Sequence, residues 1–208
     1  MRVVDRLLQR WRARVAGAWI PHGATILDVG CHQGEFLRSL GSYIGPSIGL
    51  DPLASPANCP EHRLLSSRFV EPLPLASGSF DAIVLLATLE HIQERHALGR
   101  ECLRLLRPGG RVIITVPSPR VDHILAALCG LRLADGMSLE QHDGFDPRTT
   151  PEFFVPSGFV LEYRRRFQLG LNHLFVFRKP MATSVRETSA WTGQMGNLLH
   201  DTGSPTHA

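Results

Sequence analysis

One α/β domain, with a mostly parallel sheet closed by an antiparallel hairpin, is predicted by three features of this sequence. First, Ile26, Leu27, Asp28 and Val29 form an apolar run with an acid in it; the chain turns through Gly30 and Gly34 and starts an amphipathic pattern at Glu35 and Phe36. That pattern reads as a buried strand, a tight loop and a helix. Second, residues 47–51, 82–86 and 111–116 are short strand-like runs, with helical patterns at 35–40 and 97–106 between them. Strands alternating with helices build parallel sheets. Third, residues 159–167 and 172–178 read as two long strands joined through Gly170. The chain has 208 residues, 43% hydrophobic and 20% charged, enough for one sizeable core.

Ahead of the first strand, residues 3–19 form an amphipathic helix: Val4, Leu7, Leu8, Trp11, Val15 and Trp19 fall at helical spacing, while Arg2, Arg6, Arg10, Arg12 and Arg14 occupy the other faces. Such a helix either packs on the sheet with solvated arginines or lies against an anionic lipid surface or over a substrate. The domain organisation is therefore an N-terminal helix (1–20), the main domain (21–180) and a tail (181–208) that loses apolar periodicity and is expected to be disordered. The net charge of +3 is mild, and no basic stripe with interleaved aromatics points to nucleic acid. Cys31, Cys59, Cys102 and Cys129 show neither metal-ligand nor disulfide spacing, so no metal is expected and a reducing cytoplasm is the simplest setting. No apolar run approaches the ~20 residues of a membrane span, leaving at most peripheral membrane contact through the N-terminal helix.

The glycine loop has the layout of a nucleotide pocket. Gly30 lets backbone approach a ligand, Gly34 opens the helix, and amides at the helix start are expected to be unpaired. Asp28 supplies a carboxylate at the pocket floor. Asp51, 23 residues further on, can accept from both hydroxyls of a ribose, or can serve the turn before Pro52. Gly30, Cys31, His32, Gln33 and Gly34 do not make the Gly-x-Gly-x-x-Gly that a nicotinamide-dependent reductase would want.

Four landmarks follow in order: Leu27-Asp28-Val29-Gly30-Cys31, then Leu73-Pro74 ahead of Ser79-Phe80-Asp81, then Leu89-Glu90-His91, then Arg107-Pro108-Gly109-Gly110. Together they resemble the motifs of the class I S-adenosylmethionine-dependent methyltransferases, closely over residues 22–117 and loosely over 140–179. The resemblance implies a three-layer Rossmann-like fold with a mostly parallel seven-stranded sheet ending in an antiparallel hairpin. It also implies S-adenosyl-L-methionine as cofactor and methyl transfer to oxygen, nitrogen or carbon of a small-molecule, lipid or glycan acceptor. By the same resemblance Asp28, Gly30, Cys31, His32 and Gly34 hold the amino-acid end of the cofactor, Asp51 its ribose, Phe69 and Val70 its adenine, and Ala87 and Thr88 border its methionine moiety, while His91 lines the acceptor pocket. His32 stands where the family's loop has its middle glycine. Near Phe69 and Val70 there is no acid where many members have an aspartate, so a backbone carbonyl would serve. Phe69 packs either on the adenine or in the core, and Thr88 is placed to cap the helix that follows.

Beyond Pro117, residues 121–129 read as a short apolar helix and 131–144 as a loop, in the region that builds the acceptor pocket in this fold. His142 either deprotonates an acceptor hydroxyl or fixes that loop through a backbone hydrogen bond. Along the strand holding Arg164, Arg165 and Arg166, alternation turns Arg165 away from its two neighbours. The alternative to an enzyme is a catalytically inactive relative that keeps the fold as a binding or partner module.

Overall fold

The computed structural model describes residues 3–118 and 145–181. Seven strands, β1 (Ile26–Val29), β2 (Ile48–Asp51), β3 (Arg63–Ser66), β4 (Phe80–Leu86), β5 (Leu106–Pro117), β6 (Val160–Phe167) and β7 (Asn172–Arg178), form one sheet in the order β3-β2-β1-β4-β5-β7-β6. The first five run parallel, and β7 pairs antiparallel with both β5 and β6. The expected mostly parallel seven-stranded sheet with a terminal hairpin is therefore what the chain forms. The second strand of the hairpin inserts next to β5, and the first becomes the sheet edge.

Side chains alternate between two cores, as period-two strands require. Leu27, Val29, Ile83, Leu85, Val112, Ile114, Phe175 and Phe177 pack with Leu98, Cys102 and Leu105 of α3 (Arg95–Leu105) and Phe154 of α4 (Thr150–Phe154). On the other face Ile26, Ala82, Val84, Ile113, Leu174 and Val176 meet Ala16 of α1 (Val3–Gly17) and Phe36 and Leu37 of α2 (Glu35–Leu40). Both faces are covered, which is why the inner strands are almost continuously apolar. α1 thus packs on the sheet through Ala16, with Ile20 just beyond its end, while its outer face stays exposed.

Some boundaries differ from the sequence reading. β5 begins at Leu106 rather than at Arg111, because Gly109, at φ +80°, lets the chain make a bulged start whose Gly109 and Gly110 bond to Lys179. Lys179 is the chain's one lysine. Its ammonium donates to the carbonyls of Leu103 and Leu106 at 2.7 and 2.8 Å, closing the end of α3. The proposed helix at 121–129, the loop at 131–144 with His142, and the tail beyond Met181 lie outside the described residues.

Candidate functional site

The carboxyl ends of β1, β2 and β4 place most of the singled-out residues side by side. Gly30 (φ +79°) runs so close to Thr88 that a Cβ built on it would stand 2.2 Å from the Thr88 hydroxyl oxygen. This contact joins the loop after β1 to the loop after β4. His32 adopts φ +49°. The backbone thus keeps the left-handed shape suited to the family's glycine, and its ring nitrogen Nδ1 lies 2.9 Å from Glu35 Oε1.

The loop amides are not free, contrary to expectation. Gly30 N–H and Cys31 N–H donate to the Leu50 carbonyl, His32 N–H to Asp51 Oδ2 at 3.0 Å, Gln33 N–H to Glu35 Oε2 and Gly34 N–H to the Cys31 carbonyl. The turn is tight enough to satisfy its own donors, so it presents a preset shape. For Cys31 only the backbone is open to a cofactor. Its side chain is buried over β2, where a Cβ on Gly49 would stand 2.6 Å from its sulfur. Burial first, then the charges of Asp28 and Asp51, push its thiol pKa up, so it acts as a neutral wedge that leaves only backbone for a ligand.

Asp28 is 1% exposed, and its Oδ2 has no hydrogen-bond partner. Burial, with smaller contributions from Asp51 and Glu35, pushes its pKa up to about 8. A buried carboxylate oxygen without a donor suits an ammonium group, and the α-amino group of S-adenosylmethionine is one. Asp51 is half-buried and accepts from His32 N–H and Leu53 N–H, one at each oxygen. Each oxygen keeps a further lone pair for a ribose hydroxyl.

Three residues beyond the end of β3, Phe69 packs against the main core with part of its ring exposed, so packing and adenine contact are compatible; Val70 is 55% exposed. Ala87 is left-handed (φ +55°), and its amide donates to the Thr115 carbonyl. Thr88 holds the N-cap position, but of a single 3₁₀ turn, Leu89–His91, and its hydroxyl makes no capping bond. The hydroxyl donates back to the Leu86 carbonyl at 3.4 Å, so the expected cap is replaced by packing on Gly30. His91, the last residue of that turn, is exposed.

Glu90, for which helix-start packing and a substrate role are alternatives from the sequence, and residues that the sequence does not single out complete this edge. Glu90 is 5% exposed with both carboxylate oxygens unpartnered, and burial lifts its pKa to about 7 against the opposing charges of Arg12 and Arg95. Arg95 holds the turn through the Leu89 and Glu90 carbonyls and lies over the Phe145 ring at 4.7 Å. Thr115 Oγ1 and His173 Nδ1 are likewise buried and unpartnered, and the backbone register sets His173 opposite Val116 near the end of β5. Burial and the charges of Arg166 and Arg164 depress the His173 pKa, keeping the ring neutral. The available signal was Asn172 and His173, two polar residues opening an otherwise apolar strand. Among the described residues no cluster of three or more His, Cys, Asp or Glu is arranged to hold a metal ion, and no helix is long and apolar enough to cross a membrane.

Residues 27–114 match the methyltransferase domain family. The match makes residues 27–114 a methyltransferase domain of the S-adenosylmethionine-dependent kind. The ubiquinone biosynthesis O-methyltransferase of Xanthomonas oryzae pv. oryzae is 38% identical over 105 residues, 45% of this chain and 43% of that protein. The mitochondrial enzyme of the same name from Rattus norvegicus is 28% identical over 156 residues, 67% of this chain and 45% of that protein. The chain spans about half the length of the curated relatives it matches. Its fold is shared with a TehB-like S-adenosylmethionine-dependent methyltransferase from Corynebacterium glutamicum, at TM-score 0.60 and 21% identity over 84% of this chain and 97% of that one. A putative methyltransferase of Haloferax volcanii, solved in complex with the Trm112 activator, aligns at TM-score 0.64 and 20% identity, covering 83% and 91%.

Proposed function

We propose that this methyltransferase chain methylates a small, apolar or lipid-like acceptor, at oxygen in the first instance. The observation that carries the reading is the buried, unpartnered carboxylate of Asp28 at the end of β1, flanked by the preset Gly30–Gly34 loop and by Asp51. Asp28 would accept from the cofactor's ammonium, Asp51 from its ribose, and Phe69 with Val70 would flank its adenine. The cofactor supplies a methyl group activated by sulfonium sulfur. The chain's own part is to hold the acceptor in line with that methyl and keep water out, which is where proximity accelerates transfer.

Transfer to a hydroxyl also needs a proton acceptor. His142 is the candidate from the sequence, and Glu90, buried with a pKa near 7, is the candidate from the structure. The choice of a lipid-like acceptor at oxygen draws on the named activity of the relatives. An inactive, binding-only relative remains the second reading because His32 and the missing adenine aspartate depart from the family pattern.

The test is the thermal midpoint of the protein titrated separately with S-adenosylmethionine, S-adenosylhomocysteine and NADH. A ligand at a hundred times its Kd adds about 2.7 kcal/mol, a rise of roughly 5–10 °C for a chain of this size. The expected outcome is a rise with the first two alone, followed by labelled-methyl transfer to a quinol-like acceptor. Cofactor binding without transfer to any hydroxylated acceptor would favour the binding-only reading.

A further inference from the structure

The outer face of α1 and the turn between β6 and β7 meet at one corner of the carboxyl edge. Gln168, 2% exposed, is the bracket: its side-chain amide donates to the Leu8 carbonyl of α1 at 2.7 Å and its oxygen accepts from Asn172. The next residue, Leu169, is thereby held outward at 97% exposure. Its φ is +56° and that of Gln168 is +51°. A leucine disfavours this left-handed backbone, and here no burial offsets the cost; glycine or asparagine would suit the turn better in water.

Leu169 has company on α1. Leu7 is 58% exposed and Trp11 46%, one helical turn apart and therefore on one face. Arg6, Arg10 and Arg14 are exposed along the same helix, and between residues 6 and 17 it carries no acid. Arg165, exposed on β6, points to the α1 side of the sheet because it pairs across from Leu174, which lies in the core beneath α1. Exposed aromatic and aliphatic side chains interspersed with arginines match the boundary between phosphate headgroups and acyl chains.

We propose that this corner docks on an anionic phospholipid bilayer. Leu7, Trp11 and Leu169 enter the interface, and Arg6, Arg10, Arg14 and Arg165 meet lipid phosphates. Asn172, bonded to Gln168, pairs with Pro117, the last residue of β5, so docking turns the carboxyl edge that holds Asp28 and Glu90 toward the bilayer. The surface stands independently of the identity of the methyl acceptor.

The experiment is sedimentation of the full chain with phosphatidylcholine vesicles and with mixed phosphatidylcholine and phosphatidylglycerol vesicles, at low and high salt. The expected result is binding to the mixed vesicles alone, weakened by salt. Each of Arg10→Glu and Arg14→Glu should lower the partition coefficient by about fivefold or more. Leu169→Gly, which relaxes the turn and cannot unfold the protein by losing a contact, should lower it as well, and Trp11→Ser should add to that loss. Equal binding to neutral vesicles, no binding to the mixed vesicles, or Leu169→Gly with Trp11→Ser binding like the parent would overturn the proposal. So would complete release from the mixed vesicles by a nucleic-acid duplex, which would point to a phosphate polymer instead. The thermal shift with S-adenosylmethionine, read on the same variants, separates failure of this surface from failure of the methyltransferase reading.

Discussion

At the scale of single residues, Gly30 is where the loop after β1 packs directly on the loop after β4. It combines a left-handed φ with a position where an added Cβ would stand 2.2 Å from the Thr88 hydroxyl oxygen, so Gly30→Ala meets two penalties, one from backbone and one from overlap. The expected loss is about 2–4 kcal/mol. Chemical denaturation of Gly30→Ala and of the double variant Gly30→Ala with Thr88→Gly would separate the two: the double variant, which removes every Thr88 side-chain atom near the added Cβ, should regain the overlap part relative to Thr88→Gly alone. If Gly30→Ala were as stable as the parent, the close packing of the two loops would be wrong. The glycine itself was legible in the sequence, because a strand that breaks into glycine ahead of a helix has few other meanings. Its partner was not. Thr88 looked like a helix cap, since from sequence alone a threonine before a turn is a cap; only the fold reveals that its side chain faces another loop. The orientation of the Cys31 side chain is hidden for a similar reason, as its position in the glycine loop says nothing about which way the sulfur points.

At the scale of elements, the segment leading into β4 shows how a stretch without secondary structure is fixed by a helix. Glu101 of α3 is 2% exposed; it accepts from Leu73 N–H at 2.8 Å and from Arg104 at 2.6 Å. Arg104 in turn donates to the Leu73 and Leu75 carbonyls and to Ser77. This clamp holds the Leu-Pro step whose neighbours Phe69 and Val70 are the adenine candidates. The Arg104 hydrogen bond, against an opposing effect of burial, draws the Glu101 pKa down. Glu101→Ala leaves the Leu73 amide and a guanidinium without their acceptor and should cost about 3 kcal/mol. It should also raise hydrogen exchange at residues 71–77 while sparing β7; uniform exchange behaviour across the sheet would sink the clamp. The strands were readable because apolar, β-branched runs need both faces covered, and the hairpin because two such runs flank Gly170. The insertion of β7 between β5 and β6 is a tertiary choice, decided by which strand can offer Leu174–Phe177 to both cores.

At the scale of the whole molecule, the groups that titrate differently in the folded state set a pH profile that the cofactor should reshape. Asp28 and Glu90 bind their protons more tightly when folded, with pKa values pushed to about 8 and about 7, whereas an unfolded carboxyl titrates near pH 4. The folded state therefore holds more protons than the unfolded state between these limits, and stability falls as pH rises through them. His173 acts at the other end: its folded pKa is depressed, so stability falls as pH drops below about 6.5. Between pH 6.5 and 8 the Asp28 contribution dominates, amounting to about 1–2 kcal/mol at 1.36 kcal/mol per pKa unit, or roughly 3–6 °C in Tm. An ammonium ligand favours the ionised carboxylate and removes that penalty. The thermal shift produced by S-adenosylhomocysteine, which carries the same ammonium without the reactive methyl, should accordingly grow from pH 6.5 to pH 8. Asp28→Asn should leave only the smaller Glu90 part of the free protein's profile over that window and abolish the growth of the shift. A shift of constant size in the parent, or the same growth in Asp28→Asn, would remove Asp28 from the amino-acid end of the cofactor and leave its buried carboxyl to be explained by the packing of β1 alone.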